Sequence, residues 1–486
     1  MPSPNEKKEE VVHLGKTDPL KLVDFPAFPG ILAMMGPGII WASLAQGSGE
    51  LIWWPYLAAK YGEAFIWWLW PACLLQYWVN LEIIRYTTLT GEGIFGGFTR
   101  FNKVFAIFLW IMLFITYLWF GGYASGGGTA LAALTNFPPG WDARGQTLFW
   151  AYLTVLIFVL ALTLFPVIYN GIEKFMTVVT IVCVVGLLAA IVHPMVAPYW
   201  PKYIAAAFKV QGFPANWDPK DSSTFLTAVC FAGMGGFWNV MYSYWIRDKH
   251  VGNASYIGRV TSPVTGKPET IPATGVAPRD TPENHQRYKS WLKYLYVDNA
   301  IAVFINMLTV TFTTFLGFAI LHPKGLVPSG WKLVSVQAEW FGSLWGYWGY
   351  ILMWIIGAAF IADSWLGACD AVSRMHADFL VSTFRKLRRL SFRQWYYVWV
   401  GILTLSTCIT MILVQPAELL LAGGILNFIS MTIYCPVLIY MNYYKIPKTI
   451  AKWTRPSVGW LIVGIIVTVV YLILSIWYLG VTFKLI

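Results

Sequence analysis

Residues 31–60 read ILAMMGPGIIWASLAQGSGELIWWPYLAAK, an apolar stretch interrupted near its middle by Gly47-Ser48-Gly49-Glu50. Each apolar arm is too short to cross a bilayer, whereas the whole stretch exceeds the roughly 20 residues that a membrane-spanning helix needs. Glycine and serine are poor helix formers, and a carboxylate in hydrocarbon is costly. Lipid offers no hydrogen bonds to an unwound backbone, so an interruption there must face protein, water or a bound solute.

Two interpretations of this stretch are open. The first is a discontinuous helix whose half-helix ends point at a substrate, as in the binding sites of secondary transporters. The second is a close helix crossing built on small residues, with Glu50 paired to a neighbour. The acid favours the first interpretation, because close packing would explain the glycines but not a carboxylate in the same place.

The composition of the 486-residue chain is that of a polytopic membrane protein. Hydrophobic residues make up 57% of it and charged residues 12%, and the mean hydropathy is +0.59. The first 27 residues are charged and lack the apolar run of a cleavable signal. The six cysteines lie in or beside apolar stretches without metal-ligand spacing, which indicates packing roles. The net charge of +11 fits contact with anionic lipid and does not call for nucleic acid.

Apolar stretches predict eleven membrane-spanning helices. They lie near 29–60, 63–85, 104–132, 147–168, 173–197, 222–246, 294–320, 334–370, 395–415, 417–443 and 457–483. With the N-terminus in the cytoplasm, 26 of the 34 Lys and Arg residues fall on the cytoplasmic side, as the positive-inside rule requires. We therefore expect an integral protein of the plasma membrane, with a cytoplasmic tail (1–28), a basic cytoplasmic loop (247–293) and an external C-terminus.

The sixth stretch carries a second interruption. Residues 224–246 read TFLTAVCFAGMGGFWNVMYSYWI, with GMGG at 233–236 near mid-membrane. Corresponding glycine interruptions in the first and sixth spans are typical of two five-helix repeats of inverted topology. The transmembrane unit (29–483) is thus predicted to hold one repeat at 29–197, a second at 222–443 and an additional helix at 457–483. Glycine-lined close packing is the alternative explanation for the sixth span.

Residues spread thinly over most of 29–483 resemble the Nramp divalent metal transporters. They are Gly36-Pro37-Gly38, Tyr61-Gly62 before a Trp-rich second span, Gly171-Ile172-Glu173-Lys174-Phe175, Asp298 with Asn306, and Pro436. The resemblance implies an all-α fold of the LeuT type, in which the first and sixth helices are broken and hold the substrate between them.

The metal-site motifs of that family are where this sequence departs from it. The family carries Asp-Pro-Gly-Asn in its first helix, and Gly47-Ser48-Gly49-Glu50 stands at the matching positions, so only one glycine is shared. For the family's Met-Pro-His in the sixth helix this chain has residues 236–238 (GFW), followed by a matching Asn239. The thioether that favours soft transition metals is therefore absent. The resemblance implies the fold without the family's metal and coupling chemistry.

Ionisable residues inside a membrane are functional candidates by default. Those near mid-span are Glu50, Asp298 and Asp363, while every histidine lies in a tail, a loop or a span end. Coupling to a proton would therefore use carboxylates. Glu50 adjoins the interruption and is the leading candidate for a ligand or proton carrier. Asp298 and Asp363 are further coupling candidates, and they could equally pair with helix ends or hydroxyl groups.

Three functions compete. The first is transport of a hard divalent cation such as Mg²⁺ or Mn²⁺ by alternating access, with Glu50 and Asn239 as metal ligands beside freed carbonyl groups. The second is transport of an organic solute such as an amino acid. The Gly-Ser-Gly run also resembles amino acid–polyamine–organocation transporters, whose glycine amides receive a substrate carboxylate. The third is a sensor or scaffold that does not transport and works through the loop 247–293.

The whole-chain resemblance places the cation first. In all cases we expect the solute between the two interruptions. The predicted substrate-binding residues are Gly47, Ser48, Gly49, Glu50, Gly233, Gly236, Trp238 and Asn239. A nucleophile–base pair and a metal cluster are both missing from the sequence pattern, so we expect neither an enzyme nor a bound cofactor.

Overall fold

The computed structural model describes residues 10–329 and 334–485. Among them, eight helical segments are long and apolar enough to cross a membrane. They are Lys103–Thr135, Ala143–Leu164, Ile168–Ile191, Pro282–Lys324, Tyr347–Thr383, Phe392–Leu413, Pro416–Thr449 and Val458–Thr482. Large apolar side chains on their outer faces are exposed, such as Ile181, Leu405 and Ile476. Lipid tails are a suitable environment for such faces.

The helices are numbered here in chain order. They are α1 (Pro37–Ala45), α2 (Trp54–Tyr61), α3 (Ile66–Thr90), α4 (Ile94–Phe101), α5 (Lys103–Leu118), α6 (Gly121–Thr135), α7 (Ala143–Leu164), α8 (Ile168–Ile191), α9 (Trp200–Ala207), α10 (Ser222–Cys230), α11 (Phe237–Asp248), α12 (Pro282–Leu316), α13 (Glu339–Trp345), α14 (Tyr347–Thr383), α15 (Phe392–Leu413), α16 (Pro416–Tyr440) and α17 (Val458–Thr482). Single α-helical turns lie at Ile31–Met34, His322–Lys324 and Ile446–Thr449, and π-helical segments lie at Gln46–Trp53, Gly317–Leu321 and Met441–Lys445.

Three predicted spans, the first, second and sixth, correspond to helices in the protein interior. They are α1 with α2, then α3, then α10 with α11, and most of their residues are buried. A helix surrounded by protein can carry polar side chains, as α3 does with the Glu82–Arg85 pair, and these lower its mean hydropathy. The other eight predicted spans match the eight apolar segments. The total of eleven stays a prediction, as does the inverted repeat.

The eighth predicted span, 334–370, has different limits in the structure. A short α13 is separated from α14 by Gly346, whose φ of 63° suits glycine. The long helix α14 then runs from Tyr347 to Thr383, beyond the predicted end. Its last turns are buried, so they pack inside the protein instead of forming a solvated connection.

The interruption of the first span takes the form of a π-helical segment, Gln46–Trp53, which joins α1 to α2 without an extended stretch. Both glycines in it permit close approach. A Cβ atom at Gly47 would collide with the Ser364 hydroxyl of α14, and one at Gly49 would collide with the backbone of Phe231. A π-helical turn shifts the hydrogen-bond register and is common at functional sites.

The interruption of the sixth span is a true break. Helix α10 ends at Cys230 and α11 begins at Phe237. Between them Gly233 and Gly236 have φ values of 122° and 78°, which L-residues with a side chain rarely adopt. The predicted break in this helix is confirmed, and glycine is required there by backbone conformation.

A small sheet joins the N-terminal segment to the loop 247–293. Its strands β1 (Val11–Val12), β2 (Leu20–Val23) and β3 (Val276–Pro278) lie in that order. The first pair is antiparallel, and β2 and β3 are parallel, with Lys21 opposite Val276. This sheet was not predicted from the sequence. The following helix begins at Pro282, and the Thr281 side chain caps it by accepting a hydrogen bond from the Asn284 amide.

Candidate functional site

Glu50 lies in the π-helical segment and is 1% exposed. Its Oε2 atom accepts a hydrogen bond from the Thr309 hydroxyl of α12. Its Oε1 atom has no hydrogen-bond partner among the residues that the structure describes. A buried carboxylate oxygen without a partner is costly, because burial removes the water that would otherwise bind it.

Other polar atoms beside Glu50 also lack partners within the described chain. Asn306 stands one helical turn before Thr309. Its Nδ2 group donates to the Cys73 sulfur at 3.4 Å and its Oδ1 is unpaired. Gln46, four residues before Glu50, has both amide atoms unpaired. Unpaired side-chain atoms also occur elsewhere in the described chain, but among them Glu50 is the carboxylate, which makes this region the candidate site for a ligand.

Gln337 provides a further amide at the π-helical segment. Its Nε2 group donates to the carbonyl oxygen of Leu51, and its Oε1 atom is unpaired among the described residues. Thr309, Gln46 and Gln337 were not predicted as site residues. Gln46 could have been found from the sequence, since it precedes Glu50 by four residues. Gln337 and Thr309 could not, because only tertiary packing brings them to the first span.

Asn239 belongs to a separate polar network. Its Nδ2 group donates to Gln76 Oε1 at 2.9 Å and to Asn80 Oδ1 at 2.8 Å. Asn80 in turn donates to Asn299 at 3.1 Å, and the Tyr434 hydroxyl donates to Asn239 Oδ1 at 3.2 Å. We call the side chains of Gln76, Asn80, Asn239 and Asn299 the amide chain.

In the described part of the protein, no hydrogen bond joins the amide chain to Glu50 or to the neighbouring side chains of Gln46, Asn306 and Thr309. No direct contact between Glu50 and Asn239 therefore supports the expectation that they bind one cation together. That expectation stays a prediction. The side chain of Ser48 lies outside the described part of the structure. The space beside Gly47 and Gly49 is filled by α14 and Phe231 in this conformation, and their role as substrate-binding residues stays a prediction.

Three backbone groups at the break in the sixth span are paired within the protein. The Phe237 amide donates to Asn427 Oδ1 at 2.9 Å, and the Gly235 amide donates to the carbonyl of Cys230 at 2.9 Å. The Gly236 carbonyl accepts from the Tyr434 hydroxyl at 2.8 Å. These three groups are therefore satisfied by protein in this conformation.

Trp238, at the start of α11, packs in an aromatic cluster. Its ring centroid lies 5.2 Å from that of Tyr123, 6.0 Å from that of Tyr117 and 6.3 Å from that of Phe231. The Tyr117 hydroxyl is buried without a partner among the described residues. The cavity that the Trp238, Tyr117 and Tyr123 rings line has a volume of about 10 Å³ in this conformation, so an organic group could bind beside Trp238 only after the rings move apart.

Asp298 and Asp363 have hydrogen-bonding roles of different kinds. Asp298 Oδ2 accepts from the Gly38 amide at 2.9 Å and from the Tyr242 hydroxyl at 2.6 Å. It therefore caps the N-terminus of α1, where a helix favours negative charge. Asp363 accepts from Ser43 Oγ at 2.9 Å and has only hydroxyl partners among the described side chains.

Two ion pairs lie at opposite ends of the first and sixth spans. At the end predicted to be external, Lys60 Nζ lies 2.7 Å from Asp221, which also accepts from the Tyr61 hydroxyl at 2.6 Å. At the end predicted to be cytoplasmic, Lys249 Nζ lies 2.7 Å from Glu173. We call these pairs the outer bridge and the inner bridge. In this conformation, with both pairs formed, Glu50 is buried.

No group of three or more His, Cys, Asp or Glu residues able to hold a metal ion occurs within 10–329 and 334–485. A cation at Glu50 would therefore rely on one carboxylate and on neutral oxygen atoms. Such a donor set suits a hard, partly hydrated ion better than a soft one.

No family model matches the chain, and no curated protein matches it. Several solved structures match it at low sequence identity. A mutant of the manganese transporter of Eremococcus coleocola is 11% identical over 93% of this chain and 88% of that chain, with a TM-score of 0.61. The same transporter with an aromatic bis-isothiourea compound is 12% identical over 96% and 92%, with a TM-score of 0.59.

MhsT in complex with L-phenylalanine is 14% identical to this chain, covers 94% of it and 99% of that chain, and has a TM-score of 0.59. Identities this low show likeness of fold alone. The predicted fold is confirmed: the chain is a mainly helical membrane protein with the LeuT-type fold.

Proposed function

We propose that this protein is a secondary-active transporter that moves a hard divalent cation, Mg²⁺ or Mn²⁺, by alternating access. One observation carries the proposal: Glu50 is fully buried at the π-helical segment with one carboxylate oxygen unpaired, beside the unpaired Oδ1 of Asn306. The manganese transporter of the same fold supports a metal substrate by analogy. The outer and inner bridges are the elements that open in turn.

The donor atoms favour a hard ion. Glu50 supplies the charge, and Asn306, Gln46 and Thr309 supply neutral oxygens. Mg²⁺ is commonly held by one or two carboxylates while it keeps several waters, so a single acid suffices. Cys73 is the soft atom beside this group, and its sulfur accepts the Asn306 amide. We assign it a packing role, so Cys73→Ser should leave the order of preference among ions unchanged.

Proton coupling is assigned to Asp363 together with Glu50. Asp363 is buried and bonded to the hydroxyls of Ser43 and Ser364, with no cation beside it in the described structure. Hydroxyl groups can donate to a carboxylate or accept from a carboxylic acid, so these partners tolerate both states. Asp298 is assigned the structural role of capping α1, because its partners are donors in a fixed geometry.

The test is Glu50→Gln in proteoliposomes, with cation uptake and melting temperature measured on the same preparation. The glutamine keeps the shape and the Thr309 hydrogen bond but removes the charge. We expect uptake of Mn²⁺ and Mg²⁺ to be lost while the melting temperature changes by a few degrees at most. Full uptake with an unchanged melting temperature would move the site away from Glu50. Clear preference of the wild-type protein for Cd²⁺ or Fe²⁺ would contradict the hard-ion assignment.

An organic solute is the second candidate, supported by the aromatic cluster around Trp238. Ligands that bind the folded state stabilise it by about 2.7 kcal/mol at 100 times Kd. A melting-temperature screen with amino acids and divalent cations therefore separates the two functions. Stabilisation by an aromatic amino acid that Trp238→Ala abolishes would favour the organic solute. Stabilisation by neither class would favour a sensor or scaffold.

A further inference from the structure

A basic cavity of about 970 Å³ lies on the face that we assign to the cytoplasm. It is formed by the N-terminal segment 15–18, the junction of α4 with α5, the residues that follow α14, and the segment after α16. Six of its lining side chains are basic and one is acidic: Lys16, Arg100, Lys103, Arg385, Lys386 and Lys445, with Asp18. A volume of this size suits a small-molecule group.

Two of these cations already have carboxylate partners. Arg100 forms a two-point ion pair with Glu92, at 2.6 Å and 2.7 Å, and Arg385 is paired with Asp18. Both arginines therefore hold the cavity together and are not free to bind an anion with their full charge.

The lysines are the free charges. Lys16, Lys103 and Lys386 have no carboxylate partner among residues 10–329 and 334–485. The Lys103 ammonium lies 4.7 Å from the centroid of the Phe384 ring. Lys445 donates to the backbone carbonyl of Arg100, which brings a fourth ammonium group to the cavity wall. Several uncompensated ammonium groups facing one concavity favour an anion with several acceptor oxygens.

The cavity is continuous with an apolar surface. Val104, which lines it, is 75% exposed, and the same face of α5 exposes Phe108, Ile111 and Ile115. These residues follow one another at helical spacing up the lipid-facing side of a predicted span. An anion site that opens directly onto such a stripe suits an amphiphile, because its apolar part would contact the stripe. A free phosphate compound has no apolar part to place there.

We propose that this cavity binds the phosphate headgroup of an anionic phospholipid of the cytoplasmic leaflet, with its acyl chains along α5. Basic pockets beside membrane helices on the cytoplasmic side are suited to such headgroups. Phosphate oxygens would accept hydrogen bonds from the ammonium groups of Lys16, Lys103 and Lys386. The lipid would then join the N-terminal segment, the start of α5 and the end of α14.

The test compares Lys103→Gln/Lys386→Gln with Lys289→Gln/Lys293→Gln, which removes two exposed charges from the same face but outside the cavity. Each purified protein is placed in nanodiscs of phosphatidylcholine, with or without phosphatidylglycerol, and lipid retention is measured by native mass spectrometry. Each lysine that contacts a bound anionic headgroup contributes about a fivefold factor to its binding. We expect retention of phosphatidylglycerol to fall at least tenfold in the cavity variant and to be unchanged in the control.

Two results would overturn the proposal. One is equal retention of phosphatidylglycerol by the two double variants. The other is stabilisation of the wild-type protein by inorganic phosphate at millimolar concentration without any preference between the lipids, which would assign the cavity to a soluble phosphate compound. Neither result bears on cation transport, so this proposal and the proposed function fail independently.

Discussion

The Lys60 ammonium lies 2.7 Å from the Asp221 carboxylate, and this pair fastens the end of α2 to the start of α10. It is the outer bridge, and Asp221 also accepts hydrogen bonds from the hydroxyls of Tyr56 and Tyr61 at 3.0 Å and 2.6 Å. Helix α2 directly follows the π-helical segment that carries Glu50. We therefore expect these bonds to break together when the protein opens toward the side predicted to be external.

Asp221→Asn should raise the population open to the outside. The amide weakens three bonds at once. Lys60 is partly exposed, and ion pairs that solvent reaches contribute only about 0–1 kcal/mol, so we expect a change of severalfold. The readout is alkylation of Cys230, buried at the end of α10, by a membrane-impermeant maleimide added outside. Glu63→Gln, which breaks the exposed Lys202–Glu63 pair, is the matched control and should not change labelling. Equal labelling of all three proteins would contradict the role of the outer bridge.

Thr309→Val should weaken cation affinity while leaving the maximal rate close to that of the wild type. Its hydroxyl is the hydrogen-bond donor of Glu50, and a hydrogen bond to a charged group contributes about 1.5–3 kcal/mol. We expect KM for Mn²⁺ uptake to rise about tenfold or more. Thr309→Ser retains the donor and serves as the control. An unchanged KM in the valine variant would show that Glu50 does not need this partner.

Gly49→Ala should destabilise the protein. A Cβ atom there meets the Phe231 backbone, which cannot rotate away as a side chain could, and overpacking of this kind costs about 1–3 kcal/mol. The control is Gly401→Ala in α15, where a Cβ atom would have no neighbour within 4 Å. That change should stabilise the helix by up to about 1 kcal/mol. The melting temperatures of the two variants should therefore move in opposite directions.

Acidification should weaken the packing around Glu92, on the face predicted to be cytoplasmic. Burial alone would raise the pKa of Glu92, but the charge and hydrogen bonds of Arg100 outweigh it, so the pKa lies below its ordinary value of 4.5. A lowered folded-state pKa contributes stability that is complete above the unfolded value and is lost as pH falls through the folded value. Glu92 also accepts the Gly275 amide at 2.9 Å, and Arg100 bonds to Thr17.

Hydrogen exchange of strands β2 and β3 measures this effect. In the wild type, protection should be constant from neutral pH to about pH 5 and should decrease below that. In Glu92→Gln it should be low throughout, because removing one partner of a buried pair costs about 3–5 kcal/mol. Protection in the variant equal to that of the wild type at neutral pH would show that the pair does not hold the sheet.

The predicted topology can be tested at the C-terminus. The basic-residue asymmetry and an odd number of spans place Ile486 outside the cell. A reporter that is active only in the cytoplasm, fused after Ile486, should be inactive, and the same reporter fused at the N-terminus should be active. Activity at the C-terminus would show that the number of spans is even.

The sequence predicted the fold well because membrane helices follow from hydropathy. Lipid cannot form hydrogen bonds with backbone groups, so an apolar span must be helical. The sequence located both special segments, at residues 46–53 and 231–236. It could not tell a π-helical turn from an unwound one, since the difference depends on how closely α14 and Phe231 approach Gly47 and Gly49. It placed Asn239 with Glu50 by resemblance, which stays a prediction; in the structure Asn239 donates hydrogen bonds to Gln76 and Asn80.

The site partners of Glu50 were the least predictable part. Thr309 and Gln337 lie 259 and 287 positions away in the chain, and only packing of α12 and α13 against the first span brings them near. The small sheet was missed for a related reason. Strands of two to four residues are too short for alternation to be recognised, and their pairing depends on contacts between distant segments.

The amide chain has a mechanical consequence. Asn239 of α11 is bonded to α3, and α3 is bonded through Asn80 to Asn299 of α12. Each such bond contributes about 0.5–1.5 kcal/mol, so tilting α11 alone would cost several kcal/mol. Gln76 also donates to the carbonyl oxygen of Cys230, the last residue of α10, at 3.3 Å, so the amide chain ties both halves of the broken sixth span to α3. We therefore expect both halves to move together with α3. Because the amides carry no charge, these hydrogen bonds do not depend on pH in the range where carboxylates gain and lose protons.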